Sequence, residues 1–195
     1  MKHRTFQLMA LGLLGLPSVV LAHSGVDGEH TYLALMRGLL HPFTGADHLG
    51  AMLAVGGWSA LSMRPVWLAP AAFLMMVAMG AFAGMAGWAV PVVEPMIAAS
   101  LLVLGLLMVG RQQMPLALAA ALAGGFAFFH GAAHGQELGG AQGLQALAGM
   151  LVSTALLHVS GMALGRWVLA QRRWLSHSAG AAVALLGCSL LWRMA

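Results

Sequence analysis

Long apolar windows separated by short breaks set the pattern of this chain. A helix needs about 20 mostly apolar residues to cross a bilayer, and six windows come near that length. The six windows cover residues 44–63, 65–90, 92–110, 115–134, 143–166 and 174–194. The breaks contain proline, glycine clusters or basic residues, which are typical of helix ends. Because the breaks are too short for a soluble domain, the pattern predicts an all-α, polytopic membrane protein with six transmembrane helices in one domain, residues 23–195.

The first part of the chain, residues 1–22, follows a different pattern. It begins with basic residues, continues in a short apolar stretch and closes with small or apolar residues up to Ala22. This order predicts a cleavable signal peptide, and the alternative is an uncleaved first transmembrane helix. Cleavage would leave His23 first, where its α-amine and imidazole could chelate a divalent cation together; otherwise His23 merely follows the cut. Residues 23–43 are then a short exposed segment, with a brief surface helix over residues 32–40.

The composition agrees with a membrane protein. Of the 195 residues, 61% are hydrophobic and 7% are charged, whereas a soluble domain carries about 25% charged residues. The formal net charge of +4 does not indicate nucleic-acid binding, because the basic residues are isolated between apolar runs. The single cysteine, Cys188, excludes an intramolecular disulfide, a CxxC redox pair and a thiolate zinc cluster. A metal site must therefore use nitrogen, oxygen or thioether ligands.

The arginines predict the orientation of the helices. With the mature N-terminus outside, most of them fall on or near the cytoplasmic side. The cytoplasmic set is Arg64, Arg111, Arg166, Arg172 and Arg173, and the external set is Arg37 and Arg193. This distribution follows the positive-inside bias. It predicts a multi-pass protein of the inner (cytoplasmic) membrane with its mature N-terminus in the periplasm.

A first polar cluster, HPFTGADH, occupies residues 41–48 at the edge of the first window. A proline suits the first position of a helix. The pattern therefore predicts that His41 lies at the end of the helix and that Asp47 and His48 lie more than one turn inside it. Met52 follows His48 by four residues and shares its helix face. Ionisable residues inside a span are costly and by default mark a functional path. The alternative is that Asp47 caps a helix and His48 hydrogen-bonds a neighbour.

A second cluster, FFHGAAHGQE, occupies residues 128–137. His130 and His134 are one helical turn apart, the spacing with which two imidazoles bind one cation in HxxxH sites. Glu137 adds a carboxylate if the helix continues, and the small residues between the histidines let another helix or a hydrated ion approach. The alternative is a structural pair of buried histidines. Because the helix of Asp47 runs inward and this helix runs outward, both clusters are predicted on the external side.

His158 is a weaker candidate ligand in the middle of the fifth window. It is either a second metal station deeper in the membrane or a hydrogen-bonded structural histidine. Imidazole and carboxylate ligands together suit Ni²⁺, Co²⁺, Zn²⁺, Mn²⁺ or Fe²⁺, and the affinity order alone does not choose among these ions.

The two motifs, HPFTGADHLGAM and FFHGAAHGQE, together resemble the HupE/UreJ family of hydrogenase and urease accessory membrane proteins. The resemblance covers essentially the whole mature chain. It implies a secondary permease for nickel, with cobalt as an alternative, that has no permanent cofactor and serves hydrogenase or urease maturation. The residues that carry over are His41, Asp47, His48 and Met52 from the first motif, and His130, His134 and Glu137 from the second. The related nickel/cobalt transporters have four residues between a histidine and an Asp-His pair, whereas five separate His41 from Asp47 here.

The predicted function is therefore transport of a divalent metal ion from the periplasm into the cytoplasm, without enzymatic activity. The chain contains no nucleotide-binding loop, so a pump driven by ATP within this chain is not indicated. One alternative is an intramembrane zinc hydrolase in which His130 and His134 hold the metal and Glu137 activates water. Another is an accessory or assembly protein that binds metal without transporting it.

Overall fold

A computed structural model describes residues 27–138 and 140–195, with side chains from residue 30 onward. The predicted signal peptide, residues 1–22, and His23 lie outside the described residues. The described part is helical and contains no strand, which confirms the all-α prediction for it. Its elements are α1 (Asp27–Leu40), a 3₁₀ turn (His41–Phe43), α2 (Ala46–Ser62), α3 (Leu68–Met85), α4 (Val93–Gly110), α5 (Leu116–Glu137), α6 (Gly143–Leu164), a π-helical turn (Gly165–Leu169) and α7 (Arg173–Met194).

Helices α2 to α7 correspond one to one to the six apolar windows, although α5 continues past its window to Glu137 and α7 begins one residue before its window, at Arg173. In the described part of the chain, five of them, α3 to α7, are long and apolar enough to cross a membrane. Helix α2 has 17 residues, which extend about 26 Å at 1.5 Å per residue. The chain is therefore a helical membrane protein with five candidate spans, and a sixth crossing by α2 stays a prediction.

Helix α1 differs from its prediction. The sequence predicts a brief surface helix, but α1 begins at Asp27 and packs along the first turns of α6. Gly38 lies against the backbone of Ala146, and Gly149 lies against the backbone of Leu35, so that neither glycine has room for a side chain. Helix α1 thus begins earlier than predicted and packs one face on α6, while Tyr32, Leu33 and Leu40 stay exposed on it. The contact between glycines of different helices leaves no periodic signal in the sequence.

The first motif is not one continuous helix. His41–Phe43 form a separate 3₁₀ turn, and Gly45 is extended, with φ −113° and ψ 125°, before α2 begins at Ala46. Asp47 and His48 therefore lie in the first turn of α2. The prediction that they lie more than one turn inside a helix is wrong, because the extended glycine breaks the helix that Pro42 was expected to start.

Helices α3 and α5 run in the same direction with direct backbone contact. Gly131 and Gly135 lie against the backbones of Val77 and Ala81, where a Cβ atom on either glycine would collide. The small residues of the second motif thus admit a neighbouring helix, one of the two possibilities that the sequence left open. Because each glycine directly follows a motif histidine, this contact fixes the rotation of α5 and the direction of both imidazoles.

The bundle has two chemically different ends. We call the end where α5 ends and α6 begins the site end, and α2 begins there as well, since His48 contacts His130 of α5. At the opposite end, which we call the arginine end, Leu61, Arg111 and Arg173 line one cavity of about 360 Å³. This cavity joins the end of α2, the end of α4 and the start of α7.

Candidate metal centre

Four histidines from two distant parts of the sequence meet at the site end. His41 comes from the 3₁₀ turn and His48 from α2, whereas His130 and His134 come from α5. The contacting pairs are separated by 93 and 82 residues along the chain. The two sequence motifs therefore form one cluster, as their predicted placement on one side requires.

The outer part of the cluster, which we call the mouth group, consists of His41, His134 and Glu137. The Nε2 atom of His41 lies 2.9 Å from Nδ1 of His134 and 3.3 Å from Oε2 of Glu137. One ligand atom from each of the three residues lies within 4.8 Å of the other two. Two imidazole nitrogens and a carboxylate oxygen at this spacing can hold one metal ion, because bond lengths of about 2.0–2.2 Å place ligand atoms at such separations.

The mouth group opens to solvent on one side. The side chain of Glu137 is 60% exposed, whereas that of His134 is 1% exposed. A cavity of about 300 Å³ beside Glu137 is also lined by Arg37 and Ala34 of α1. A hydrated ion can therefore meet the carboxylate first and the buried imidazole second.

The inner part of the cluster, which we call the inner pair, consists of His48 and His130. Their Nδ1 atoms are 3.0 Å apart, and Nε2 of His130 lies 2.9 Å from Oγ of Ser100 in α4. Ser100 donates its own proton to the carbonyl oxygen of Ile97 at 2.6 Å. Since a serine has only one proton to give, it must accept from Nε2–H of His130. The lone pair of His130 is then on Nδ1 and points into the cluster.

This assignment also fixes how His48 would bind an ion. When no ion is bound, Nδ1–H of His48 donates a hydrogen bond to Nδ1 of His130. If His48 binds an ion through Nδ1, the proton on Nδ1 must leave, and the neutral ring then carries its proton on Nε2. The Nε2 atom of His48 lies 3.8 Å from Oδ2 of Asp47. A carboxylate beside the distal nitrogen of a metal-ligating imidazole fixes its tautomer and raises its basicity. Asp47 lies where it can orient His48, and its predicted role as a metal ligand stays a prediction.

His134 links the mouth group to the inner pair. Its ring centroid lies 4.4 Å from that of His48 and 4.6 Å from that of His41. Its Nε2 atom is buried and has no hydrogen-bond partner among the described residues. A buried unpaired polar atom costs about 1–3 kcal/mol, and a cation bound to Nε2 itself would relieve that cost.

His41 is neutral under ordinary conditions, as a ligand must be. Partial burial, followed by the neighbouring His134, lowers the pKa of His41 from its usual 6.5, against the smaller opposing effects of Glu137 and Asp47. The imidazole therefore keeps a free lone pair near neutral pH.

The remaining predicted ligands lie apart from this cluster or outside the described part. Met52 is fully buried in the apolar core with Val55 and Trp58, and its role as a ligand stays a prediction. His158 is buried in the middle of α6, where its ring contacts Phe73.

Sequence reasoning missed Ser100. It is the one hydroxyl residue of α4, and it lies in an otherwise apolar stretch. A lone serine in an apolar span was the available signal, but nothing in the local sequence indicates that it faces His130.

Comparisons with known proteins bear on the whole chain. Residues 11–190 match the family described as HupE / UreJ protein. Over 186 residues the chain is 41% identical to "Protein HupE" of Rhizobium leguminosarum bv. viciae, covering 93% of this chain and 94% of that protein. No solved structure matches the chain.

Proposed function

This chain belongs to the HupE/UreJ family, and from that membership we propose that it is a secondary permease that carries a divalent transition-metal ion into the cytoplasm. Nickel is the first candidate and cobalt the second, in line with the uptake function of the family. In this proposal the imported ion supplies hydrogenase or urease maturation.

The observation that carries the proposal is the convergence of four imidazoles and a carboxylate in an otherwise apolar bundle. Polar groups inside a membrane protein are costly and mark ion pathways by default. Here the histidine rings contact one another directly, at 2.9 Å between His41 and His134 and 3.0 Å between His48 and His130. Each neutral imidazole has one N–H and one lone pair, His130 gives its N–H to Ser100, and the carboxylate only accepts. The cluster therefore has lone pairs in excess of its protons, which favours a role in holding a cation.

The ligand chemistry supports a nitrogen- and oxygen-binding transition metal. Imidazole suits Ni²⁺ and Co²⁺, and the carboxylate of Glu137 offsets part of the ion's charge. The lone cysteine, Cys188, is exposed on α7. Thiolate coordination has no part in this proposal.

The mechanism begins at the mouth group. Glu137 attracts the hydrated ion, and His41 with His134 replaces part of its water shell. The ion then exchanges His41 for the inner pair, with His134 as the shared ligand, since its ring lies beside both His41 and His48. Because Ser100 accepts the hydrogen bond from Nε2–H of His130, the lone pair on Nδ1 of His130 stays directed toward the ion during this step.

The membrane potential can drive this movement. We place the site end in the periplasm and the arginine end in the cytoplasm of the inner membrane, in agreement with the positive-inside bias. An inward-moving dication then gains about 4.6 kcal/mol at 100 mV, at roughly 2.3 kcal/mol per charge. The permease thus needs no nucleotide.

Reconstituted vesicles test the proposal. The purified chain is placed in liposomes that contain a Ni²⁺-sensitive dye, and a potassium gradient with valinomycin sets the inside negative. We expect Ni²⁺ entry with the wild type and with His177→Ala, whose exposed imidazole lies at the arginine end. We expect at least about tenfold slower entry with His134→Ala, since loss of groups around a metal commonly costs about 10–100-fold.

The same experiment separates the alternative functions. Tight Ni²⁺ binding without entry at any potential would replace the permease by a metal-binding accessory protein. Zinc-dependent cleavage of a membrane peptide that is lost with Glu137→Gln would replace it by a hydrolase.

A further inference from the structure

We infer that His158 and Thr154 of α6 form a second, inner station for the transported metal ion. The inference rests on the proposed function and adds a binding site that lies outside the cluster of four histidines. The two residues are separated by one helical turn, so their side chains share a face of α6.

Both side chains are buried, and each has a polar atom that makes no hydrogen bond within the described part of the chain. His158 is 2% exposed and Thr154 is 0% exposed. Nε2 of His158 and Oγ1 of Thr154 have no hydrogen-bond partner among the described residues. Buried polar groups in proteins are normally paired, and in a membrane helix a threonine commonly bonds back to its own backbone. Ser153 does so, to the carbonyl oxygens of Met150 and Gly149, whereas Thr154 does not. The hydroxyl of Thr154 and Nε2 of His158 are therefore two polar groups without a partner on the same face of α6.

The aromatic ring of Phe73 connects this face to the outer cluster. Its centroid lies 5.6 Å from the ring of His130 and 5.0 Å from the ring of His158. Phe73 is itself fully buried. The two imidazoles therefore lie on either side of one aromatic ring, and in our inference a rotation of Phe73 opens the route between them.

The depth of His158 fits a station farther along the same route. At 1.5 Å per residue, His130 lies about 10 Å from Glu137 at the site end of α5, and His158 lies about 22 Å from the start of α6. An ion that leaves the inner pair toward the arginine end thus meets His158 next. Nε2 of His158 and the hydroxyl of Thr154 would supply a nitrogen and an oxygen ligand to a Ni²⁺ or Co²⁺ ion that keeps part of its water shell.

The experiment uses the full chain in lipid nanodiscs for binding and in liposomes for flux. His158→Asn removes the Nε2 position but keeps a polar side chain of smaller size, and Thr154→Val removes only the hydroxyl. We expect the wild type to bind two Co²⁺ ions and His158→Asn to bind one, with the absorption spectrum of the remaining site unchanged. We expect His158→Asn to lower Ni²⁺ flux about 10–100-fold and Thr154→Val to lower it several-fold, as for groups around a metal.

Ser153→Ala is the matched control, because it removes the neighbouring hydroxyl that is already bonded within α6. Wild-type flux and wild-type Co²⁺ stoichiometry in His158→Asn would overturn the inner station. If His158→Asn does not fold, Thr154→Val decides: flux equal to that of Ser153→Ala would then overturn it. Absence of Ni²⁺ entry with the wild type would defeat the permease instead, and the Co²⁺ stoichiometry would still report on the inner station.

Discussion

The two ends of the bundle lie in the same kind of environment but carry opposite chemistry. The site end holds four histidines with Asp47 and Glu137, and the arginine end holds Arg64, Arg111 and Arg173. The connections at the arginine end, residues 63–67, 111–115 and 170–172, contain no aspartate or glutamate. Both carboxylates that contact a histidine thus lie at the site end, where Arg37 lines the cavity beside Glu137, whereas the arginine end has basic residues without a carboxylate in these connections.

The two ends also differ in the groups to which their polar side chains form hydrogen bonds. Arg111 donates to the hydroxyl of Ser176 at 2.9 Å and to the carbonyl oxygen of Leu169 at 2.7 Å. These bonds connect the end of α4 to α7 and to the π-helical turn, and both acceptors are neutral groups. At the site end, titratable side chains bond to one another. The difference agrees with our proposal, in which the arginine end stabilises the fold and the site end binds an ion.

The largest effect is expected from His134→Ala, because this residue belongs to both halves of the ligand set. We expect the affinity for Ni²⁺, measured by isothermal titration in detergent, to fall about 100-fold, the upper part of the range for groups around a metal. His177→Ala at the arginine end is the control and should leave affinity unchanged. Equal affinities of the two variants would contradict the assignment of the site end as the metal centre.

A smaller effect is expected from Glu137→Gln, which removes the negative charge of the mouth group and keeps its shape. Because the side chain is 60% exposed, water screens its charge, and we expect about tenfold weaker Ni²⁺ binding with a larger loss at low ionic strength. Gln136→Ala tests the exposed neighbour on the same turn. A loss that is the same for both variants would mean that the helix end, and not the carboxylate, matters.

Ser100→Ala should have a weaker effect again. Without the acceptor for its Nε2–H, His130 can switch tautomer and turn its lone pair away from the cluster. We expect Ni²⁺ affinity to fall by up to about tenfold, the lower part of the range for second-shell partners, with unchanged thermal stability. Ser189→Ala, which removes a hydroxyl bonded only within α7, is the comparison, and an identical affinity in the two variants would refute the role of Ser100.

The smallest effect on Ni²⁺ affinity is expected from a substitution at the arginine end. Arg111→Lys keeps the charge but loses one of the two hydrogen bonds, worth about 1 kcal/mol. The apparent melting temperature should fall by about 2–4 °C, and Ni²⁺ affinity should stay the same. A clear loss of affinity would show that the two ends are coupled rather than separate in role.

Much of the fold follows from the sequence because a bilayer constrains it strongly. The apolar windows predict the helices, and the HxxxH spacing predicts that His130 and His134 share a face. The break at Gly45 is harder to foresee, since a glycine in an apolar window is compatible with both a helix and an extended turn. The packing of α1 on α6 and the bond between Ser100 and His130 depend on contacts between distant residues, which local pattern does not encode.

The candidate site, too, has features that the local sequence predicts and features that depend on contacts between distant residues. Spacing and topology predict that the two motifs lie on the same side, and the distances of about 3 Å between nitrogen atoms of their imidazoles agree with that prediction. Met52 is the instructive difference: it shares a helix face with His48, yet it lies in the apolar core with Trp58. Periodicity identifies a face of a helix but does not tell which part of that face is polar.

X-ray absorption at the nickel edge of the loaded, purified protein tests the central claim most directly. We predict a first shell that contains nitrogen and oxygen atoms, with the multiple-scattering pattern of two or more imidazoles that weakens in His134→Ala. A shell without imidazole scattering would contradict the histidine centre described for the site end, and a sulfur atom in the shell would identify Met52 as a further ligand.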